Sequence, residues 1–339
     1  MKPYISIVVT TRNDNHGGDL IVRTSTFIKS VFYQAERTQL PVELIIVEWN
    51  PPTNKPLLKD VLPTPEKNSF VSLKYIIVPP EIHQTYKTAE SIPLYQMTAK
   101  NVGIRRSSAD FILCTNIDII FSNECFDIFK QKTLKQNVFY RTNRCDIPSQ
   151  ITSYKENSEM LQFAKKNIIK RFGKTKKMET LHLPKWFYNF PNFCRILNYT
   201  ILALWKWTHP NQKPYFTLDF EACGDFTLMS KNDWNKIDGY PELDMYSIHI
   251  DSMGIWAAYA VGMEQEIFPH EAPVYHIDHE DGWESKDAVK TIKFLESKPC
   301  LDYSIVNRAG LQIIRQKSSW NINDENWGIN DKKLQEFVF

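Results

Sequence analysis

Asp110 to Asp118 reads DFILCTNID, a short apolar run that stops abruptly in Thr115, Asn116, Ile117 and Asp118. A brief apolar run closed by polar punctuation has the length and bounds of a buried strand rather than a helix. Working outward, Ser91 to Ser107 has helical spacing ahead of it. Tyr4 to Thr10 (YISIVVT), Val42 to Val47 (VELIIV) and Leu73 to Val78 are further β-branched apolar runs, with a helical pattern from Asp19 to Arg37 between the first two. Strand, helix, strand in alternation implies an α/β fold: a Rossmann-like, mostly parallel sheet flanked by helices. Residues 1–122 therefore read as a nucleotide-binding type of half.

From Asn123 to Pro214 the pattern changes to one rich in Lys, Asn and aromatics, and residues 123–215 read as a variable helical insertion. Its stretch from Leu183 to Trp207 is interrupted by Pro191, Arg195 and Asn198, so it lacks the roughly 20 apolar residues that span a bilayer. The expectation is a helical subdomain packed on the core. The alternative is peripheral membrane contact through residues 165–207, because basic residues followed by Trp and Phe suit a headgroup boundary. Regular structure resumes at residue 216: ACGDFTLMS reads as a strand, Lys231 to Ile237 and Asp251 to Val261 as helices, and Glu266 to Phe268 and Pro273 to Ile277 as strands. Residues 216–290 form a second functional half, and 291–339 a tail, helical then irregular, all within one domain.

Composition excludes several classes. Lys plus Arg, 41, nearly balances Asp plus Glu, 39, so no global field points to nucleic acid. The six cysteines (114, 125, 145, 194, 223, 300) make no Cys-x-x-Cys pair, which argues against a zinc ribbon or disulfide scaffold. Met1 runs straight into the first strand without a charged, apolar leader, and the expectation is a cytoplasmic protein in which the sequon Asn198-Tyr199-Thr200 has no meaning. With 11 glycines and neither GxGxxG nor GxxxxGK[ST], a dinucleotide fingerprint and a P-loop are both missing.

In an open parallel sheet, ligands collect beyond the carboxyl ends of the strands. Strand one ends in Thr11, Arg12 and Asn13; strand two in Glu48 and Trp49; the helix before strand four carries Lys100, Asn101 and Arg105; strand four ends in Asn116 and Asp118. Thr11 and Glu48 offer hydrogen bonds to a base and ribose, Arg12, Lys100 and Arg105 are cations for a diphosphate, and Asp118 is a carboxylate for a divalent ion. A diphosphate bound without a glycine cradle needs such cations and a metal.

On these residues the chain resembles the GT-A glycosyltransferases, close to family two. ISIVVTTRND matches the opening strand and loop, PVELIIVEWNPP the second strand, AKNVGIRRSSADFILCTNIDIIFS the helix and metal-binding strand end, ACGDFTLMSKNDWNKIDGYPE the acceptor-side segment, and HIDSMGIWAAYAVG the segment with the catalytic base. The resemblance covers most of residues 4–125 and 218–285. It implies transfer of a sugar from a nucleoside diphosphate sugar, UDP-linked by preference, to a hydroxyl of a glycan or glycolipid in polysaccharide biosynthesis. It also implies Mn2+ or Mg2+ as cofactor. Asn116-Ile117-Asp118 stands where the family has Asp-x-Asp, so Asn116 and Asp118 are metal candidates with one carboxylate between them. His276 is the further ligand, with His279 second. Asp251 occupies the general-base position for an inverting reaction, with Ile250 where an acidic residue is usual; its bland alternative is a helix cap. Gly224 and Asp225 correspond to the wall of the donor-sugar pocket. Trp234, Trp256 and Trp283 are stacking platforms or core, and Glu242 a donor or acceptor contact. The rivals are a sugar-phosphate nucleotidyltransferase, whose Gly-rich signature is missing, and a non-catalytic carbohydrate-binding protein on the same fold.

Overall fold

A computed structural model describes residues 2–173, 214–279 and 295–339, together with 200, 201, 203–205, 207, 208 and 293. In chain order the elements are β1 (Ile5–Thr11), α1 (Leu20–Thr38), β2 (Val42–Trp49), β3 (Val71–Val78), α2 (Pro80–His83), α3 (Gln96–Arg105), β4 (Phe111–Cys114), β5 (Ile119–Phe121), α4 (Asn123–Lys130), β6 (Val138–Arg141), β7 (Arg144–Ile147), α5 (Asn157–Lys166) and β8 (Lys170–Phe172). They continue with β9 (Thr227–Ser230), α6 (Lys231–Lys236), α7 (Ile250–Ala260), β10 (Glu264–Ile267), β11 (Val274–Ile277), α8 (Tyr303–Gln316) and β12 (Gln335–Val338).

The fold is a mixed, mostly parallel α/β sheet flanked by helices. Among the described residues its order is β10-β6-β9-β4-β1-β2-β3-β12, with β9 and β12 antiparallel to their neighbours. β1 sits in the middle, Ile5 aligned with both Val42 and Phe111. Every residue of β1 and β2 is buried, as a strand covered on both faces requires. Alternation along the chain sorts their side chains: Ile7, Val9, Leu44 and Ile46 pack with Phe27 and Val31 of α1, whereas Val8, Ile45 and Val47 pack with Ala99 and Val102 of α3 and with Trp234. The apolar runs of the sequence are thus the sandwiched strands.

A second sheet, β5-β11-β7-β8, lies against α1 and α5 around Ile120, Cys145, Ile147, Tyr275 and Tyr33. It is built from short strands far apart in sequence, and it changes the reading of the insertion. To residue 173 that region is not a helical appendage: β6 enters the main sheet between β9 and β10, and β7 and β8 make half of the second sheet. Four-residue strands such as VFYR carry too little pattern to announce themselves, and their partners are supplied by residues 227–230 and 264–277. The tail differs likewise, because β12 pairs antiparallel with β3, Gln335 against Ile77, and covers the edge β3 would expose. No helix among the described residues is long and apolar enough to cross a membrane. Most of the 165–207 segment, the sequon and Trp283 lie outside the described residues. The five described cysteines are free thiols.

Candidate active site at the carboxyl ends of the strands

Asp118 follows β4 and precedes β5, so it stands where the two sheets part. Its Oδ2 accepts a hydrogen bond from Arg23 Nη1 at 3.1 Å and faces His279 Nε2 at 3.2 Å and His276 Nε2 at 3.8 Å. Its Oδ1 is buried with no hydrogen-bond partner among the described residues. Burial raises a carboxyl's pKa, but here His276, then His279 and Arg23, outweigh it and hold Asp118 well below the ordinary carboxylate range. A permanently ionised carboxylate with an open lone pair suits a cation.

The second sheet sets the histidine. In β11, His276 is aligned with Ile119 of β5 and with Asp146 of β7. Its Nδ1 lies 3.3 Å from Asp146 Oδ1, so the imidazole is held between two carboxylates with Nε2 turned to Asp118. Burial would lower its pKa; Asp118 and Asp146 raise it by more. Asp118, His276 and His279 offer ligand atoms that lie within 4.8 Å of one another. One carboxylate and two imidazoles form a fitting donor set for a divalent ion, and the buried, unpartnered Oδ1 gives it an oxygen. Asp146 is the outer carboxylate that such a histidine ligand ordinarily has.

The network continues from Asp146. Arg144 donates from Nε to Asp146 at 2.7 Å and from Nη1 to Asp225 Oδ2 at 2.8 Å. Asp225 Oδ1 accepts from Asn116 Nδ2, while Asn116 Oδ1 accepts from Gln96 at 2.9 Å. Asn116 is therefore hydrogen-bonded to both Asp225 and Gln96. Its amide bridges α3 to the Cys223–Asp225 turn.

On the other side, the ends of β1 and β2 carry buried polar atoms without partners. Thr11 is aligned with Glu48; Thr10 Oγ1, Thr11 Oγ1 and Glu48 Oε1 are all unpaired among the described residues, while Glu48 Oε2 accepts from the Leu58 amide at 2.8 Å. Burial pushes the Glu48 carboxyl up to about 7. Trp49 is fully buried and donates to His83 Nδ1 at 2.9 Å. Arg12 donates to the Asn50 carbonyl at 2.7 Å and pairs with Asp14 at 3.0 Å, and Asn13 donates to the Pro56 carbonyl at 2.9 Å. These two residues shape the loops around the unpaired oxygens.

Three residues of α3 named as donor-site candidates, Lys100 and Arg105 for a diphosphate and Asn101 beside them, make contacts within the protein. Lys100 is fully buried and donates to the Gly224 carbonyl at 2.7 Å, its pKa lowered by desolvation against the pull of Asp225 and Asp251. Asn101 donates to the Tyr240 carbonyl and to Glu242, at 2.7 and 2.9 Å, and accepts from the Tyr240 amide at 2.8 Å, so its amide is used up in pinning residues 240–242. Arg105 reaches the Glu325 carbonyl and stacks over Trp327, away from the strand ends. Helical rotation turns Lys100 to the Gly224 turn, Asn101 to residues 240–242 and Arg105 to the C-terminal segment. Glu242, expected at the ligand, likewise accepts from the Gly328 amide at 2.7 Å, and burial pushes it to about 7. Trp234, donating to the Ile112 carbonyl, and Trp256, packed on Gly310, are core.

Asp251 lies in the first turn of α7, but His249 holds the N-cap position and the Asp251 carboxylate accepts from the adjacent Ser252 amide at 2.8 Å. Its Oδ2 lies against Gly224, where a built Cβ would come within 3.0 Å. The Cys223–Asp225 turn thus has Asp251 against Gly224 and ends in Asp225. The sequence reading missed Arg23, Arg144 and Asp146. Arg144 and Asp146 are spaced i, i+2 in RCDI, a face-sharing pattern on a strand. Arg23 left no signal beyond being a charge on the buried side of a helical pattern.

Fold and site together define an α/β protein whose buried polar groups converge at the carboxyl ends of a mostly parallel sheet. No protein-family model matches the chain, and no curated protein does. Among solved structures, the crystal structure of S. aureus TarS 1-349 is similar with a TM-score of 0.43 and 11% sequence identity, covering 82% of this chain and 60% of that one. The chain thus spans about three fifths of that structure's length.

Proposed function

We propose that the chain is a nucleotide-sugar-dependent glycosyltransferase that moves a sugar from a nucleoside diphosphate sugar, UDP-linked by preference, to a hydroxyl of a glycan or glycolipid. The observation that carries this reading is Asp118: an ionised, buried carboxylate with an unpartnered oxygen beside two imidazoles, at the carboxyl end of β4. Thr11 and Glu48 stand at the ends of the next two strands with unpaired oxygens of their own, as a base or ribose subsite would have.

Asp118, His276 and His279 would hold Mn2+ or Mg2+, which when bound supplies positive charge against a leaving diphosphate. The chain's own residues do the remainder. Asp225, oriented by Asn116 and Arg144, presents its carboxylate region to the sugar hydroxyls, and Lys100 holds the Gly224 carbonyl so that the turn stays in place. Asp251, whose carboxylate is half-buried against Gly224, takes the proton from the acceptor hydroxyl in an inverting transfer.

A thermal-shift panel of UDP, GDP and their sugars, with and without Mn2+, tests the reading. A metal-dependent rise in melting temperature that Asp118→Ala abolishes is the expected result. If no nucleoside diphosphate stabilises the protein under either condition, the proposal falls. The non-catalytic alternative draws on Asn116, which is spent on Asp225 and Gln96 and leaves one carboxylate among the three ligand candidates. Donor turnover that is lost in Asp251→Asn excludes it.

A further inference from the structure

Arg23 stands against Asp118, and a divalent-ion site does not call for it. It projects from the first turn of α1, is buried, and spends its guanidinium in three directions: Nε on the Gly18 carbonyl at 3.0 Å, Nη2 on the His16 carbonyl, and Nη1 on Asp118 Oδ2 at 3.1 Å. The loop of residues 16–18 is wrapped around it. Gly17, at φ +74°, has no room for a side chain, since a Cβ would lie 2.4 Å from Arg23 Nη2 and 3.1 Å from His279 Nδ1. A permanent positive charge is therefore built onto the same carboxylate oxygen that faces His276 and His279.

Charge counting gives the consequence. A divalent ion held by one carboxylate and two neutral imidazoles leaves a net positive charge at the centre, and Arg23 adds another beside it, in a place shielded from water. The excess disappears when a ligand bringing two or more negative charges arrives, and a diphosphate is such a ligand.

We propose that Arg23 is a resident counter-cation that competes with the divalent ion for Asp118, making metal binding weak in the free protein and strongly coupled to the arrival of a nucleoside diphosphate. The inference rests on the metal reading of Asp118, His276 and His279. It assigns Arg23 a positioning and coupling role, not contact with the reacting atoms. Metal and diphosphate then bind with positive cooperativity, each tightening the other by the same factor.

The test is Mn2+ titration of the full chain, followed by electron paramagnetic resonance of free Mn2+, with and without UDP, for the wild type and for Arg23→Gln, Arg23→Met and Arg23→Lys. Circular dichroism melting checks that each variant unfolds cooperatively. In the wild type, UDP is expected to tighten Mn2+ at least tenfold. In Arg23→Gln and Arg23→Met, Mn2+ alone binds at least tenfold more tightly, about 1.4 kcal/mol, and UDP adds less; two neutral side chains of different polarity guard against one failing to fold. Arg23→Lys keeps the charge and stays near the wild type. Mn2+ affinity that is unchanged or weaker in the folded neutral variants, or that tightens as much in Arg23→Lys, overturns the proposal while the metal site stands. If neither the wild type nor any variant binds Mn2+ with or without UDP, the metal reading falls with it.

Discussion

His276 Nδ1 lies 3.3 Å from Asp146 Oδ1 while Nε2 of the same ring faces Asp118 Oδ2 at 3.8 Å, so one histidine in β11 ties a carboxylate of β7 to the carboxylate that follows β4. The two sheets meet chemically through that ring. Asp146 sets which nitrogen is turned toward Asp118, and with the metal proposed above it would tune the basicity and aim of His276.

Asp146→Asn is accordingly expected to weaken Mn2+ binding by about 10- to 100-fold with cooperative unfolding retained. Calorimetric titration of Mn2+ in the presence of UDP measures it. Affinity equal to the wild type would show that His276 needs no such orientation.

Asn101 separates a structural role from a ligand role. It makes three hydrogen bonds to Tyr240 and Glu242 in the interior. Asn101→Ala is expected to lower stability in urea by about 2–4 kcal/mol, because buried partners are left unpaired, while the folded protein's affinity for UDP changes less than twofold. A large loss of UDP affinity with stability intact would return Asn101 to the donor site.

Two buried carboxyls give a pH signature. Glu48 and Glu242 are both pushed by burial from ordinary values to about 7 in the folded chain. A group whose folded pKa is raised contributes stability fully present below its unfolded pKa, near 4.5, and lost as pH rises through about 7. Between those values the unfolded chain has released a proton that the folded chain still holds, so stability falls with rising pH. Each group contributes about 3 kcal/mol over that window. Urea unfolding at pH 5, 6, 7 and 8 should show the decline, and Glu48→Gln with Glu242→Gln should flatten it; an unchanged slope in the double variant would assign it elsewhere.

Gly224 tests the role proposed for Asp251. A methyl group there meets Asp251 Oδ2 at 3.0 Å, the free end of a side chain that can rotate away. Gly224→Ala is expected to cut sugar transfer at least tenfold with little loss of melting temperature, and Asp251→Asn by about 100-fold or more, in line with the loss of a general base. Transfer assays beside melting curves decide this. Full activity in Asp251→Asn would remove it from the reaction.

The apolar runs at residues 4–10, 42–47, 73–78 and 110–115 were legible because a parallel strand covered on both faces must be apolar nearly throughout. Their polar ends pointed to Thr11, Glu48 and Asp118 because that is where a sheet opens to ligands. His276 and His279 came through resemblance, and the structure brings them to Asp118. Asn101 and Arg105 share a helix with Lys100, and helical spacing alone does not say which partner each face will meet. The strands of the insertion escaped notice for a similar reason, since four residues of β6 become a strand only through neighbours some ninety residues and more distant in sequence.

What this sequence determined by itself is the alternation of strands and helices and the order in which polar strand ends follow one another, both set by local burial and period. The tertiary structure alone decided which polar groups share a site. Asp118 needed β11 to deliver His276, β7 to deliver Asp146, and the buried face of α1 to deliver Arg23. Those meetings depend on sheet order and crossing, and no short-range pattern encodes a contact between residues 95 and 158 positions apart.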